Sequence, residues 1–261
     1  MHTRTSVWRS KYDNDYHNLT IKAVHERFGG KFTSDAGEGE YIPYDGFVRE
    51  KAEAACYYAE SRFQNAIVAA GVLLNAHKES DAMIDRKLLK AIPQLAGMQP
   101  PLIVYNLLAP YLVSCIEDFF RSVYVGLLTY SPRKQGVFKS ARLSADDMVA
   151  VSEGLLKVED AVAKSMTFQN VKRIAEYYRE VDPQIDLLGI LRRPSNRARS
   201  GLDKRLEDLI GRRHLLIHQN VMSPEYFVEE VRADIKCLEL TVKRTLSSLR
   251  RHYHWQPGYP D

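Results

Sequence analysis

The sequence predicts an all-α protein, an antiparallel helical bundle with a partly irregular N-terminal extension. Apolar residues recur at steps of three and four along most of the chain after residue 47, and helix-capping residues and prolines separate these periodic segments. Runs of alternating apolar and polar residues, which would indicate strands, are almost absent. The chain has 261 residues and is 45% hydrophobic, which is enough to bury a sizeable core.

The first part of the chain is rich in Gly, Asp and Tyr and has weak periodicity. We therefore expect irregular structure there, with one short helix at residues 19–28. A long Ala-rich helix is predicted over residues 47–78. Ser80 or Asp81 then caps a short helix that ends near Pro93.

Prolines, caps and apolar stripes predict the central helices. Pro100 and Pro101 begin the next helix, because proline is accepted at the first helical position. Ser144 and Asp147 form an approximate capping box for a helix through the 150s, and Pro183 ends the helix that follows it. The stripes of the first and last of these helices are Leu108, Leu112, Cys115, Phe119 and Val123, and Val171, Ile174, Tyr178 and Val181.

Two more helices complete the predicted fold. Ser200 caps a helix that runs to about His218, and Ser223–Pro224 begins the last helix. Apolar residues spaced alternately three and four positions apart are typical of helices that cross at a shallow angle. The stripe of the last helix is Val228, Val231, Ile235, Leu238, Val242 and Leu249.

Charge is distributed unevenly along the chain. The formal net charge is +4, and residues 192–261 contain 14 Lys and Arg against 9 Asp and Glu. Clustered arginines are typical of contacts with phosphate backbones, and a solvated surface loop is the alternative. The densest basic segment is LRRPSNRARS, with Arg192, Arg193, Arg197 and Arg199.

Cysteine usage and hydropathy indicate the compartment. The three cysteines, Cys56, Cys115 and Cys237, are too few and too widely spaced for a disulfide framework or a CxxC zinc site, which suits a reducing compartment. The N-terminus has no apolar segment typical of a secretory signal. The most apolar stretch, residues 101–116, is shorter than the roughly 20 residues that span a bilayer. We therefore expect a soluble cytoplasmic protein with no membrane contact.

The segment SGLDKRLEDLIGRRHLLIHQN has an unusual apolar face. Its periodicity places Arg213 near the middle of that face, flanked by Ile210 and Ile217. A guanidinium there is costly unless it pairs with a core carboxylate or reaches the rim, so Arg213 is either structural or functional. His218 follows about 140° further around the helix. The two side chains can therefore meet on one ligand only across a helix end or a subunit interface.

The same segment offers a weak metal-binding pattern. His214 and His218 are one helical turn apart, but the zinc-hydrolase pattern HExxH needs a Glu where this chain has Leu215. No neighbouring carboxylate cluster completes a ligand set. We expect neither a metal nor a cofactor.

Residues 213–218, with the sequence RHLLIH, resemble the R-x(4–6)-H motif of the HEPN superfamily, in which Arg is usually followed by Asn, Asp or His. Residues 111–120 are similar to the early helix of the family, with acidic residues among aromatics. Residues 167–178 and a long last helix follow in the expected order. The likeness is closest to the RiboL-PSP-type and related stand-alone branches. It covers about residues 102–252.

The resemblance implies a two-part organisation and an activity. Residues 101–261 would form a HEPN-like helical domain, and residues 1–100 an N-terminal extension and helices of unknown role. Proteins of this family are mostly metal-independent ribonucleases that act as toxins or in anti-phage defence and work as dimers. RNA, a second copy of the chain and an antitoxin or defence-system partner are therefore the expected partners. Expected RNA-binding residues are Arg192, Arg193, Arg197, Arg199 and Arg212.

Particular residues carry the implied chemistry. Arg213 and His218 would be catalytic, acting on a phosphate attacked by the adjacent 2′-hydroxyl of RNA, and His214 would orient or bind phosphate. A twofold dimer would supply the second histidine that acid–base catalysis needs. Family analogy places Glu117, an acidic residue of the early helix, near the cleft. A plain surface ion pair between Glu117 and Arg121 is the alternative.

One departure and two alternatives complete the sequence reading. Antitoxin-regulated members of the family carry a Tyr, modified by AMP, two residues after the motif His, where this chain has Asn220, so that control by a nucleotidyltransferase antitoxin is not expected. The first alternative is a catalytically silent HEPN module that binds RNA, a nucleotide or a protein. The second is a helical adaptor whose basic and aromatic tail, residues 250–255, contacts nucleic acid or a partner rather than closing the bundle.

Overall fold

The computed structural model describes residues 11–34, 37–42, 50–82, 84–193 and 201–255. It is 76% helix and 2% strand, which confirms the all-α prediction. The helices are α1 (Lys11–Phe28), α2 (Lys51–Ala76), α3 (Lys78–Ala82), α4 (Arg86–Ala91), a 3₁₀ helix (Pro93–Met98), α5 (Pro100–Tyr130), α6 (Lys134–Ser140), α7 (Ala145–Ser152), α8 (Val158–Lys164), α9 (Val171–Val181), α10 (Leu187–Arg192), α11 (Leu202–Gln219) and α12 (Val228–His252).

The N-terminal part is more ordered than expected. Helix α1 starts at Lys11, well before residue 19, and a small antiparallel hairpin pairs β1 (Thr33–Ser34) with β2 (Gly37–Glu38). The side-chain amides of Asn14 and Asn18 both donate to the carbonyl of Ile42, at 3.0 and 2.9 Å. These long-range hydrogen bonds tie the segment after the hairpin to α1.

Helix α5 lies at the centre of the hydrophobic core, where it contacts α2, α8, α9, α11 and α12. Its predicted apolar stripe is buried throughout. Helix α2 packs most extensively against it, and a Cβ built on Gly126 would lie 2.8 Å from the Cβ of Ala55. The two helices can approach this closely because Gly126 has no side chain. The core therefore includes helices on both sides of residue 100.

Three helix ends predicted from prolines and capping residues are confirmed. Helix α5 starts at Pro100, the Ser144 hydroxyl accepts from the backbone N–H of Asp147 at 3.1 Å, and α9 ends two residues before Pro183. The predicted N-cap at Ser80 or Asp81 is wrong for the helix before Pro93. Those two residues lie inside α3, and α4 has its own cap, Asp85.

The predicted starts of the last two helices differ from the structure or fall on residues that it does not describe. Ser223–Pro224 does not start α12, which begins at Val228. The buried side chain of Asn106 on α5 explains the difference, because it donates to the carbonyl of Ser223 and accepts from its N–H, at 3.1 and 2.8 Å. These bonds hold Ser223 in an irregular connection. Ser200 lies outside the described residues, and α11 starts after Gly201, which makes no side-chain cap.

The basic and aromatic tail closes the helical core, as the simpler of the two sequence interpretations predicts. Trp255 is buried, and Tyr253 stacks on it with ring centroids 5.0 Å apart. Four polar side chains of the tail bond to acidic residues of the same chain, while Arg251 and His254 are exposed. The pairs are Arg250 with Glu60, His252 and Tyr253 with Asp182, and Trp255 with Glu50.

Helix α5 is strongly apolar, and most of its apolar surface lies inside the protein. Among the described residues, this one helix is long and apolar enough to cross a membrane, but 56% of its most apolar window is buried inside the protein. A core helix of a soluble protein passes the same test of length and composition.

The three cysteines are free and buried, each on a different helix, so they form no disulfide.

Candidate functional site

Helix α11 presents its motif residues beyond the buried part of the helix. Its buried residues are Leu202, Leu206 and Leu209, all in the first half. Ile217 is 55% exposed, so the prediction that Arg213 sits inside a continuous apolar face is wrong. Burial along the helix ends at Leu209, and Arg213 lies half-buried at the border.

Arg213 is held by a neutral amide rather than by a carboxylate. Its Nη1 donates to the Oε1 of Gln169, in the loop between α8 and α9, at 2.9 Å. It forms no ion pair within 4.0 Å among the described residues. The guanidinium has five N–H donors, so this contact leaves most of them free. The side chain is fixed in place and still able to bind an anion.

Glu117 on α5 lies near enough to Arg213 and Gln169 for both to act on its carboxyl. Burial raises the pKa of this carboxyl, while the positive charge of Arg213, the Gln169 side chain and the charge of Arg121 act in the opposite direction. Its Oε1 is buried and has no hydrogen-bond partner. The alternative of a surface ion pair with Arg121 is not formed, since Arg121 instead lies over the ring of Phe168.

His214 and His218 form the exposed part of the site. Both side chains are exposed, and their ring centroids are 4.6 Å apart at an interplanar angle of 45°. Within the described parts of the chain, no group of three His, Cys, Asp or Glu residues could hold a metal ion. Arg213 turns toward Gln169, whereas His218 stays in solvent. The two do not meet on one face of a single protomer.

Asn220 has a structural role at the end of α11. It is the C-cap of the helix, with φ 54° and ψ 32°, and its N–H donates to the carbonyl of Leu216 at 3.1 Å. After glycine, asparagine is the residue most tolerant of this left-handed conformation. Asn220 therefore ends the helix two residues after His218.

Arg212, predicted to bind RNA, packs over an aromatic ring of the segment before α12. Its guanidinium carbon lies 4.6 Å from the ring centre of Tyr226, whose hydroxyl donates to Asp234 at 2.8 Å. Asp234 is 3% exposed and also accepts from Nε of Arg205 at 2.7 Å. Burial raises the pKa of Asp234, and Arg205 and Tyr226 oppose this shift. This network joins α11 to α12 and holds the helix that carries the site.

The two described arginines of the basic segment, Arg192 and Arg193, lie near the start of α11 rather than next to the histidines. Arg192 pairs with Asp203 at the start of the helix, at 2.9 Å, and the carbonyl of Arg193 accepts from Arg244. At 1.5 Å per residue, His218 is roughly 22 Å further along the helix than Asp203. Two other members of the predicted RNA-binding set, Arg197 and Arg199, lie outside the described residues.

Three contributors to the site were not predicted as site residues: Gln169, Arg121 and Asp234. An available signal for Asp234 was its position on the stripe of α12, three residues after buried Val231 and four before buried Leu238. Gln169 and Arg121 carry no such signal, because each is a polar residue at an ordinary surface position of its own segment.

Comparison of the chain with protein-family models, curated proteins and solved structures finds no match. Function therefore has to be inferred from the chemistry of the residues themselves. The relevant arrangement is the guanidinium of Arg213 on the Gln169 amide, a half-buried carboxyl at Glu117 and two exposed imidazoles at the end of α11.

Proposed function

We propose that the protein is a metal-independent endoribonuclease of the HEPN type. The observation that carries the proposal is the state of Arg213, half-buried and anchored on the Gln169 amide with most of its donors unused. A guanidinium presented in this way suits a phosphate, because its planar fork matches two phosphoryl oxygens. The exposed imidazole of His218 ends the same helix and supplies a group that accepts and donates protons near neutral pH.

RNA carries its own nucleophile, so the proposed reaction needs only proton transfer and charge stabilisation. The 2′-oxygen loses its proton to a base and bonds to the adjacent phosphorus, the bond from phosphorus to the 5′-oxygen breaks, and that oxygen takes up a proton. The products are a 2′,3′-cyclic phosphate and a 5′-hydroxyl. His218 serves in proton transfer, and Arg213 stabilises the charge on the phosphoryl oxygens. Gln169 holds Arg213, Glu117 acts on Arg213 at longer range, and His214 orients or binds the phosphate.

The proposal includes a homodimer. When the 2′-hydroxyl loses its proton and the 5′-oxygen gains one in the same step, two separate groups are needed, and each chain supplies one His218. Leu215, Ile217 and Val221 are exposed apolar residues around His218. Exposed apolar residues grouped at one helix end are typical of an interface. A twofold axis beside this end would bring two His218 side chains and two Arg213 side chains into one cleft.

The biological setting that we infer is the cytoplasm, with a role as a toxin or an anti-phage effector. This setting follows from the resemblance at residues 213–218 and from the free, buried thiols. The C-cap at Asn220 stands where antitoxin-regulated relatives carry a modified Tyr, so the expected partner is a defence-system component rather than a nucleotidyltransferase.

The decisive experiment is cleavage of RNA by the His218→Ala variant in a buffer that contains EDTA. We expect the rate to fall by a factor on the order of 10² to 10⁴, as for loss of a general acid or base. The unfolding free energy should change by less than about 0.5 kcal/mol, because the side chain is exposed. His25→Ala is the matched control, since His25 is also exposed on a helix with one ring contact, to Phe32.

The remaining outcomes separate the alternatives. Cleavage that survives in His218→Ala, or that EDTA abolishes in the unchanged protein, would place the chemistry elsewhere in the chain. RNA binding without any cleavage would favour the silent module. Ile217→Lys should give a monomer in light scattering and lose activity, whereas Leu155→Lys, at an exposed position outside the proposed interface, should change neither.

A further inference from the structure

Arg121 is an exposed arginine whose guanidinium lies over a buried aromatic ring. Its guanidinium carbon lies 5.6 Å from the ring centre of Phe168. That ring is 2% exposed and is itself packed between Tyr124 and Tyr177, with centroid distances of 5.9 and 5.8 Å. A cation over such a ring is attracted by the ring quadrupole, so the buried aromatic group orients the exposed guanidinium.

The anchors of Arg121 and Arg213 are consecutive residues. Phe168 holds Arg121, which comes from α5, and Gln169 holds Arg213, which comes from α11. Adjacent Cα atoms lie about 3.8 Å apart, so two helices that are distant in sequence each place a guanidinium group on one of two neighbouring residues of the same loop.

Neither guanidinium is neutralised by a close carboxylate. Many arginines of the described chain, such as Arg62 and Arg250, pair with Asp or Glu within 3.0 Å. Arg121 and Arg213 form no such ion pair within 4.0 Å among the described residues. Glu117 acts on both only at longer range. With Glu117 ionised the three groups carry a net charge of +1, which one phosphodiester group would neutralise.

We propose that Arg121 and Arg213 form a two-arginine clamp for the phosphate backbone of RNA, with Arg121 as a binding residue that the motif on α11 does not include. The Arg121 side chain makes no hydrogen bond among the described residues, so its N–H donors are available for phosphoryl oxygens. Arg213 has used only one of its donors, on Gln169. The inference rests on the proposed function for the identity of the ligand, and it extends the site from α11 to α5.

The test measures binding of a short single-stranded oligonucleotide whose 2′-hydroxyls are methylated, so that no cleavage can occur. Fluorescence anisotropy at several salt concentrations compares the unchanged protein with Arg121→Gln. We expect binding to weaken by roughly threefold to tenfold, and the slope of log Kobs against log salt to shrink by about 0.7, the value for one phosphate contact on a single strand. Arg121→Lys keeps the charge and should restore the slope.

Arg133→Gln is the matched control, because Arg133 is exposed beyond the C-terminal end of α5 and the substitution removes the same charge. It should leave the slope unchanged. The clamp is overturned if Arg121→Gln acts no more strongly than Arg133→Gln, or if the unchanged protein does not bind the oligonucleotide. If binding depends on Arg121 but unmodified RNA is never cleaved, the clamp stands and the proposed ribonuclease activity fails.

Discussion

The hydrogen bond between Arg213 and Gln169 can be measured with a double-mutant cycle. Gln169→Ala removes the acceptor that lies 2.9 Å from Nη1 of Arg213, and Arg213→Ala removes the donor. A hydrogen bond to a charged group contributes about 1.5–3 kcal/mol when it is shielded from water. Arg213 is only half-buried, so water replaces part of the bond and we expect a coupling energy of about 1 kcal/mol.

Urea denaturation of the unchanged protein, the two single variants and the double variant gives this coupling energy directly. A free-energy loss of about 1 kcal/mol should lower the melting temperature by roughly 2–3 °C in a chain of this size. Gln184→Ala is the matched control, because Gln184 is an exposed glutamine whose side chain makes no hydrogen bond to α11 among the described residues, and it should change stability by less than about 0.5 kcal/mol.

The same variant tests whether the amide positions the guanidinium. Gln169→Ala leaves the Arg213 side chain in place but free to move, so we expect cleavage to fall by about tenfold through kcat, with KM little changed. A coupling energy near zero, combined with unchanged cleavage, would refute the view that Gln169 fixes Arg213. A loss of stability without a loss of cleavage would show that the bond serves the fold alone.

Two further predictions concern the carboxyl beside the site and the packing behind it. Burial raises the pKa of Glu117 above 4.5, so the folded state binds its proton more tightly, and this contribution to stability is lost as pH rises through the raised pKa. Glu117→Gln should remove that part of the pH dependence in urea titrations, and parallel pH profiles would contradict the assignment. Gly126→Ala should destabilise the protein by about 1–3 kcal/mol, because the new methyl group meets Ala55 at 2.8 Å. Gly136→Ala, at a helical position with open space, should stabilise it by about 0.5–1 kcal/mol, and equal effects of the two glycine substitutions would show that α2 and α5 can separate freely.

The sequence alone determined the helical class and most helix positions. A helix start such as Pro100, a cap such as Ser144 and a stop such as Pro183 depend on residues within one turn, so the chain specifies them locally. The buried stripe of α5 follows from the period of 3.6 residues in the same way. The motif on α11 and the end of that helix near His218 likewise follow from the sequence, and α11 ends at Gln219.

Tertiary structure decided the helix ends that depend on a hydrogen bond from a distant side chain. It also decided which side chains from separate helices contact each other. The turn at Ser223 depends on Asn106, more than a hundred residues earlier, and no local pattern reports such a bond. Periodicity assigned Arg213 to a face of α11 but could not show that the core ends before it. The anchoring of Arg121 and Arg213 on Phe168 and Gln169 joins three separate segments, and only the packing of α5 against α11 and the loop before α9 brings them to one place.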